Sequence, residues 1–171
     1  MGSVNETTQT GDITLNRKDL CKLYKRFKRL DKDGKGEISP EYLVDIPSLN
    51  SNPVIKRIVE VIDVNENGKI SFIEFLNTLA VLSDSAHKKE KLYFAFKIYD
   101  VDGDEFISRH DMYTVVKMMV GNNLNETQIE QLVDRTIFKA DADKDGKLNF
   151  DEFCEAMRSH GIADKLTLHF D

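Results

Sequence analysis

Apolar residues along this chain recur at three- and four-residue steps, the period of an amphipathic helix: Ile55, Ile58, Val59 and Ile62 follow it, as do Ile129, Leu132, Val133 and Ile137. Four such segments, LCKLYKRFKRL, VIKRIVEVI, KLYFAFKIY and IEQLVDRTIFKA, each run into a polar stretch. Each polar stretch is followed by a second apolar segment: YLVDI, FIEFLNTLAVL, MYTVVKMMV and FDEFCEAM. The polar stretches are variants of one another. They open on Asp31, Asp63, Asp100 and Asp141, spaced by 32, 37 and 41 residues, and share Asp-x-Asp/Asn-x-x-Gly-x-Ile/Leu, except that the third carries Glu105 in place of the glycine. The predicted unit is therefore helix, twelve-residue loop, helix, four times over. The polar run SDSAHKKEK over residues 83–91 separates repeats two and three and reads as a short, partly helical linker.

The boundaries expected from this pattern are a flexible N-terminal segment over residues 1–15, a first pair of repeats over 16–83, a linker over 84–91, a second pair over 92–160 and a tail over 161–171. The fold class is all-α, two paired lobes of helix-loop-helix repeats with short β pairing between the loops.

Composition narrows the function. A chain of 171 residues with 40% hydrophobic content can bury a core. A net charge of -6 excludes general nucleic-acid binding, which needs a clustered excess of Lys and Arg. The two cysteines, Cys21 and Cys154, are too few for a disulfide framework and are expected to be reduced and partly buried. No apolar run approaches the roughly 20 residues that cross a bilayer, and the N-terminus lacks the apolar core of a secretory signal. A cytoplasmic setting is the expectation, and the sequons at Asn5 and Asn125 are then accidental. The four histidines, His87, His110, His160 and His169, have no nucleophile or metal-ligand spacing around them, so catalysis is not expected.

A twelve-residue loop with oxygen donors at positions 1, 3, 5, 7, 9 and 12 and a glycine at 6 is the calcium-binding EF-hand, because a hard cation taking six to eight oxygens needs more donors than one helical turn presents. Loop two fits throughout with Asp63, Asn65, Asn67, the Lys69 carbonyl, Ser71 and Glu74, around Gly68. Loop four fits with Asp141, Asp143, Asp145, the Lys147 carbonyl, Asn149 and Glu152, around Gly146, and its larger number of carboxylates should make it the tighter site. Loop one keeps Asp31, Asp33 and Ser39 but has Lys35 at position 5 and Tyr42 at position 12. It is expected to be metal-free or weak, with Lys35 partly satisfying Asp31 and Asp33.

Loop three offers Asp100, Asp102, Asp104, the Phe106 carbonyl, Ser108 and Asp111. Glu105 at position 6 implies a left-handed residue other than glycine, costing about 1 to 2 kcal/mol. Asp111 is one methylene shorter than glutamate, which favours a smaller shell and mixed Ca2+/Mg2+ occupancy. The expected order of affinity is loop four, two, three, one.

Between these loops, FAFKIYD over 94–100, KMMVGNNL over 117–124 and DEFCEAM over 151–157 give the chain, from about Leu20 to Phe153, a close resemblance to the calcineurin B family. The resemblance implies a non-catalytic regulatory subunit of a calcium/calmodulin-dependent Ser/Thr phosphatase, clamped on an amphipathic helix of the catalytic subunit. Calmodulin then acts on the same holoenzyme. It also implies that Met118, Met119, Val120, Asn122, Asn123 and Leu124 help form a docking groove for substrate peptides and immunosuppressant complexes. Read from the residues alone, this stretch is a helix C-terminus with Gly121 as a left-handed cap. Both readings hold together if Met118, Met119 and Leu124 form an exposed patch.

Phe72, Phe75, Leu79, Leu92, Phe96, Met118, Phe150, Phe153 and Met157 are of the kind that line a helix-binding groove, and equally of the kind that fill a core. Family members are typically myristoylated at Gly2. Here Glu6 stands where the motif wants Ser or Thr. The basic segment RKDLCKLYKRFKRL is either a source of attraction to anionic lipid or a solvated helix face. A calcium buffer, or an EF-hand adaptor for another target such as a calcineurin B homologous protein, are the alternatives.

Overall fold

The computed structural model describes residues 9–10, 13–14, 17–40, 54–82 and 87–159. Seven α-helices lie among them: α1 Arg17–Leu30, α2 Ile55–Ile62, α3 Phe72–Leu82, α4 Lys88–Tyr99, α5 Arg109–Val120, α6 Glu126–Ala140 and α7 Phe150–Ser159. The segment YLVDI, expected to close the first repeat, lies outside the described residues, as do Gly2 and the tail. The β-strands are two residues each: β1 Gln9–Thr10 with β2 Ile13–Thr14, and β3 Glu37–Ile38 with β4 Ile70–Ser71, both pairs antiparallel.

Pairing of the loops follows from position 8 of each. An apolar residue there can be buried only if its backbone groups find partners, and a second loop supplies them. Ile38 pairs with Ile70, and Ile107 with Leu148 through Ile107 N–H to Leu148 O at 2.8 Å and Leu148 N–H to Ile107 O at 3.0 Å. All four side chains are at most 2% exposed. They anchor two cores. In the first, Phe27 of α1 meets Phe72 and Phe75 of α3 with ring centroids 5.1 and 5.6 Å apart. In the second, Phe96 meets Phe150 and Phe153, each at 5.5 Å, above Ile129 and Val133.

Helix ends are set by polar side chains that accept the free backbone N–H groups of a first turn. Asn125 and Gln128 form a reciprocal capping box on α6, so the sequon residue Asn125 has a structural use. Gly121 ends α5 with φ 53° and ψ -126°. This positive-φ conformation differs from the left-handed helical cap expected, and a 3-10 turn over Gly121–Asn123 follows.

Helix α4 begins inside the stretch read as linker. Lys91 and Leu92 at its start are already buried. It packs against both α2 and α3, so the second lobe's entry helix rests on the helices that flank loop two. Among the described residues, no helix is long and apolar enough to cross a membrane. Both cysteines are free. Cys154 is buried, and burial pushes its thiol up, whereas Cys21 is exposed rather than partly buried as expected.

Candidate calcium loops

In each loop the first aspartate folds the loop about itself. Asp63 Oδ2 accepts from Gly68 N–H at 2.6 Å, Asp100 Oδ2 from Glu105 N–H at 3.1 Å, Asp141 Oδ2 from Gly146 N–H at 2.8 Å and Asp31 Oδ2 from Gly36 N–H at 3.0 Å. Side chains at positions 3 and 5 then accept from the backbone two residues on. Asn65 takes Asn67 N–H, Asp102 takes Asp104 N–H and Asp143 takes Asp145 N–H; likewise Asn67 takes Lys69 N–H, Asp104 takes Phe106 N–H and Asp145 takes Lys147 N–H. These Asx turns turn the acceptors inward at alternate residues. Carboxylate oxygens of Asp100, Asp102 and Asp104 lie within 4.8 Å of one another, as do those of Asp141, Asp143 and Asp145. An all-oxygen, mostly anionic donor set of this kind fits a hard divalent cation.

Crowding raises the proton affinity of some of these groups. Burial, then the Asp104 and Asp102 charges, push Asp100 up against two backbone donors. For Asp143 the Asp145 N–H pulls downward, but desolvation and the surrounding carboxylates of Asp145, Glu152 and Asp141 outweigh it. Glu74 is penalised most by burial, yet donors from Ser71, Asn65 and Val64 leave it lowered.

Position 12 separates the loops. Glu74 Oε1 accepts from Asn65 N–H at 3.3 Å, near the loop's start, while Oε2 accepts from Ser71 N–H and Oγ–H at 2.8 and 2.7 Å. Glu152 does the same in loop four, with Oε1 on Ala142 and Asp143 N–H at 2.7 and 3.2 Å and Oε2 on Asn149 N–H at 3.0 Å. Each glutamate spans its loop from end to end. Asp111, one methylene shorter, bonds among the described residues only to Ser108, whose side chain in turn accepts Asp111 N–H. It caps α5 in place of closing loop three.

Backbone strain, by contrast, does not single out loop three. Positions 4 and 6 take positive φ in all four loops: Gly34 and Gly36, Glu66 at 56° and Gly68, Gly103 and Glu105 at 68°, Lys144 at 62° and Gly146. Loop three exchanges the two residue types, with glycine at position 4 and glutamate at 6. Loops two and four carry the same kind of cost two residues earlier, so the penalty expected for Glu105 alone is shared. Gly103 was the sequence signal for it.

A second handicap for loop three comes from its partner. Lys147 Nζ donates to Asp104 Oδ2 at 3.0 Å and holds that carboxyl low, so an internal ammonium already occupies one ligand oxygen.

In loop one the expected partner is half right. Lys35 Nζ pairs with Asp33 at 3.5 Å, but Asp31 is bonded at 2.9 Å by Lys28. Lys28 stands three residues earlier on α1, within helical reach, whereas Lys35 lies beyond the turn. Asp31 Oδ1 remains buried with no hydrogen-bond partner, a feature that suits a cation. Ser39 is half-buried, and Tyr42 lies outside the described residues.

The Lys28 hydrogen bond, against a smaller burial penalty, holds Asp31 below the usual carboxylate range. With the folded pKa depressed, this stabilisation is complete above the unfolded value of about 3.9 and is lost as pH falls through the folded one. Lys28→Met is therefore expected to flatten the acid side of the stability profile. The check is the urea midpoint of the calcium-free protein between about pH 4 and pH 2, which should fall less steeply in the variant.

Of the nine groove candidates, Leu92, Phe96 and Phe153 are core residues, at most 3% exposed. Phe72, Phe75 and Met157 pack on the cores, and Leu79 is half-buried. Only Phe150 lines the large apolar cavity, of about 740 Å³, whose other apolar walls are Val61, Ile62, Val64, Val81, Tyr93 and Phe94. In the KMMVGNNL stretch, Met118 and Met119 are exposed with Asn122 and Asn123, whereas Val120 and Leu124 pack on the second core. Leu124 therefore drops out of the expected exposed patch.

Paired helix-loop-helix units with these donor sets define an EF-hand calcium-binding protein. Residues 89–158 match the EF-hand domain pair model, and residues 23–41 and 58–80 match the EF hand model. The chain is 47% identical to the calcineurin B subunit of Naegleria gruberi over 163 residues, 95% of this chain and 92% of that protein. It is 46% identical to the type 1 calcineurin B subunit of Dictyostelium discoideum over 89% of this chain and 85% of the relative, and 41% identical to the calcineurin B subunit of Schizosaccharomyces pombe over 91% and 89%. The chain belongs to the calcineurin B family.

Proposed function

We propose that this chain is the calcium-binding regulatory subunit of a calcineurin phosphatase, without catalysis of its own, and that it holds an amphipathic helix of the catalytic subunit. The observation that carries the reading is the apolar cavity between the helices flanking loop two and those of the second lobe. Its walls come from α2, α3, α4 and α7, so its shape follows the angles between EF-hand helices.

Calcium, when bound, supplies the charge that offsets the clustered carboxylates. Loops two and four are the strongest sites, because Glu74 and Glu152 already bridge their loop ends. Loop three, held by Asp100, Asp102, Asp104, the Phe106 carbonyl, Ser108 and Asp111, is weaker or shared with Mg2+, and loop one is weak or empty. Met118, Met119, Asn122 and Asn123 offer the exposed part of a docking surface formed jointly with the catalytic subunit. The setting is cytoplasmic. Part of the population is carried to membranes by the basic face of α1 and by any acyl chain on Gly2.

Mixing the purified chain with a calcineurin catalytic subunit tests the central claim. A single heterodimer peak in size-exclusion chromatography and calcium-dependent phosphatase activity are expected. A chain that elutes alone and leaves the phosphatase unresponsive would favour a free calcium buffer.

A further inference from the structure

Arg57 ties the two lobes together. It stands on α2, six residues before Asp63 opens loop two, and only 12% of its side chain is exposed. Its guanidinium crosses to the C-terminal end of α4. There Nε donates to Ile98 O at 3.2 Å, while Nη2 donates to Lys97 O at 2.9 Å and to Asp100 O; Nη1 holds Glu60 at 3.0 Å on its own helix.

Two of these acceptors belong to the last turn of α4 and have no intrahelical donor available. The third is the carbonyl of Asp100, the first residue of loop three. A planar fork with fixed donor directions satisfies all three and meets the negative end of the helix dipole. An ammonium would hold the charge without the geometry.

The consequence is mechanical. The backbone that presents Asp100 is fastened to α2, and the direction of α2 is set by loop two, into which it leads. α4 also packs on α3, the helix leaving that loop. Any change in the angle between α2 and α3 is therefore passed to the start of loop three through part-buried hydrogen bonds.

We propose that Arg57 is a positioning residue for loop three and makes its calcium affinity depend on the occupancy of loop two. By linkage the dependence is reciprocal. The proposal rests on both loops taking calcium.

The test uses the full-length chain and calcium alone, with nitrogen-15 NMR following the backbone amides of Gly68 and Glu105, each of which donates to the first aspartate of its own loop. Titrations are run with and without Glu74→Gln, which weakens loop two, in chains carrying Arg57, Arg57→Lys or Arg57→Met. With Arg57 present, Glu74→Gln should raise the half-saturation calcium of loop three by about fivefold or more. In both Arg57 variants that rise should shrink below about twofold.

Coupling that persists in both variants, or is absent from the parent, overturns the proposal. Coupling kept by Arg57→Lys alone makes it an effect of charge and overturns the positioning role. If Arg57→Met does not fold, Arg57→Lys decides, since it keeps the aliphatic stem and the charge. An amide that never moves with calcium defeats the occupancy reading instead, which separates the two failures.

Discussion

Replacing Glu74 with glutamine is expected to raise the calcium concentration for half-activation of the phosphatase complex by roughly 10- to 100-fold while leaving assembly intact. The magnitude is that of losing a charge-assisted contact, about 1.5 to 3 kcal/mol. Glu74 is 7% exposed and ties Asn65 at one end of loop two to Ser71 at the other, so it closes the loop as well as donating to it. An amide at that position keeps the size and loses the charge. Glu74 also lines the cavity, but glutamine keeps its size and the cores around Phe27 and Phe96 do not involve it, so assembly should persist. The measurements are phosphatase activity against free calcium and size-exclusion of the complex. Unchanged activation would show that calcium at loop two does not set the response of the phosphatase, whereas dissociation would show that its occupancy is structural.

Converting loop three with Asp111→Glu and Glu105→Gly is expected to tighten its calcium binding by about tenfold or more and to reduce its preference for magnesium. Nearly all of this should come from Asp111→Glu. The longer side chain can reach the loop's first residues with one oxygen and keep the Ser108 cap with the other, as Glu74 and Glu152 do in their loops.

Glu105→Gly alone relieves about 1 to 2 kcal/mol of left-handed strain and loses about 0.5 to 1 through glycine's freedom in the unfolded chain. It should therefore stabilise the calcium-free protein only slightly, and Lys144→Gly in loop four should do as much. Calorimetric titration of the single and double variants, with magnesium as competitor, checks the binding, and their urea midpoints check the stability. If Asp111→Glu alone leaves the affinity of loop three unchanged, side-chain length is not its limit. The Lys147 ammonium on Asp104 remains in every one of these variants and sets a ceiling on the gain.

Much of this was legible in the chain itself. The 3.6-residue period gave every described helix, since burying one stripe of each leaves no other period available. The invariable apolar residue at position 8 marked Ile38, Ile70, Ile107 and Leu148, the four residues that pair the loops. Ligand types at positions 1 to 12 could be read directly, because the loop is local and its donors are consecutive. What the chain left open or misassigned were its neighbours. Lys28 in place of Lys35 on Asp31, the burial of Leu92, Phe96 and Phe153, and the turn of Leu124 into the core all depend on which face of a helix meets which other.

The sequence by itself thus determined the repeat, the loops, their donor chemistry and the family, because each depends on residues close together in the chain. Only the tertiary structure decided that Asp111 caps a helix while Glu74 and Glu152 span their loops, that Glu105 bears a strain its sister loops share, and that Arg57 fastens the start of loop three to the helix entering loop two. The donors that a carboxylate meets, the sign of φ at positions 4 and 6 and a hydrogen bond across 43 residues are settled by the three-dimensional arrangement. The order of the residues leaves them open.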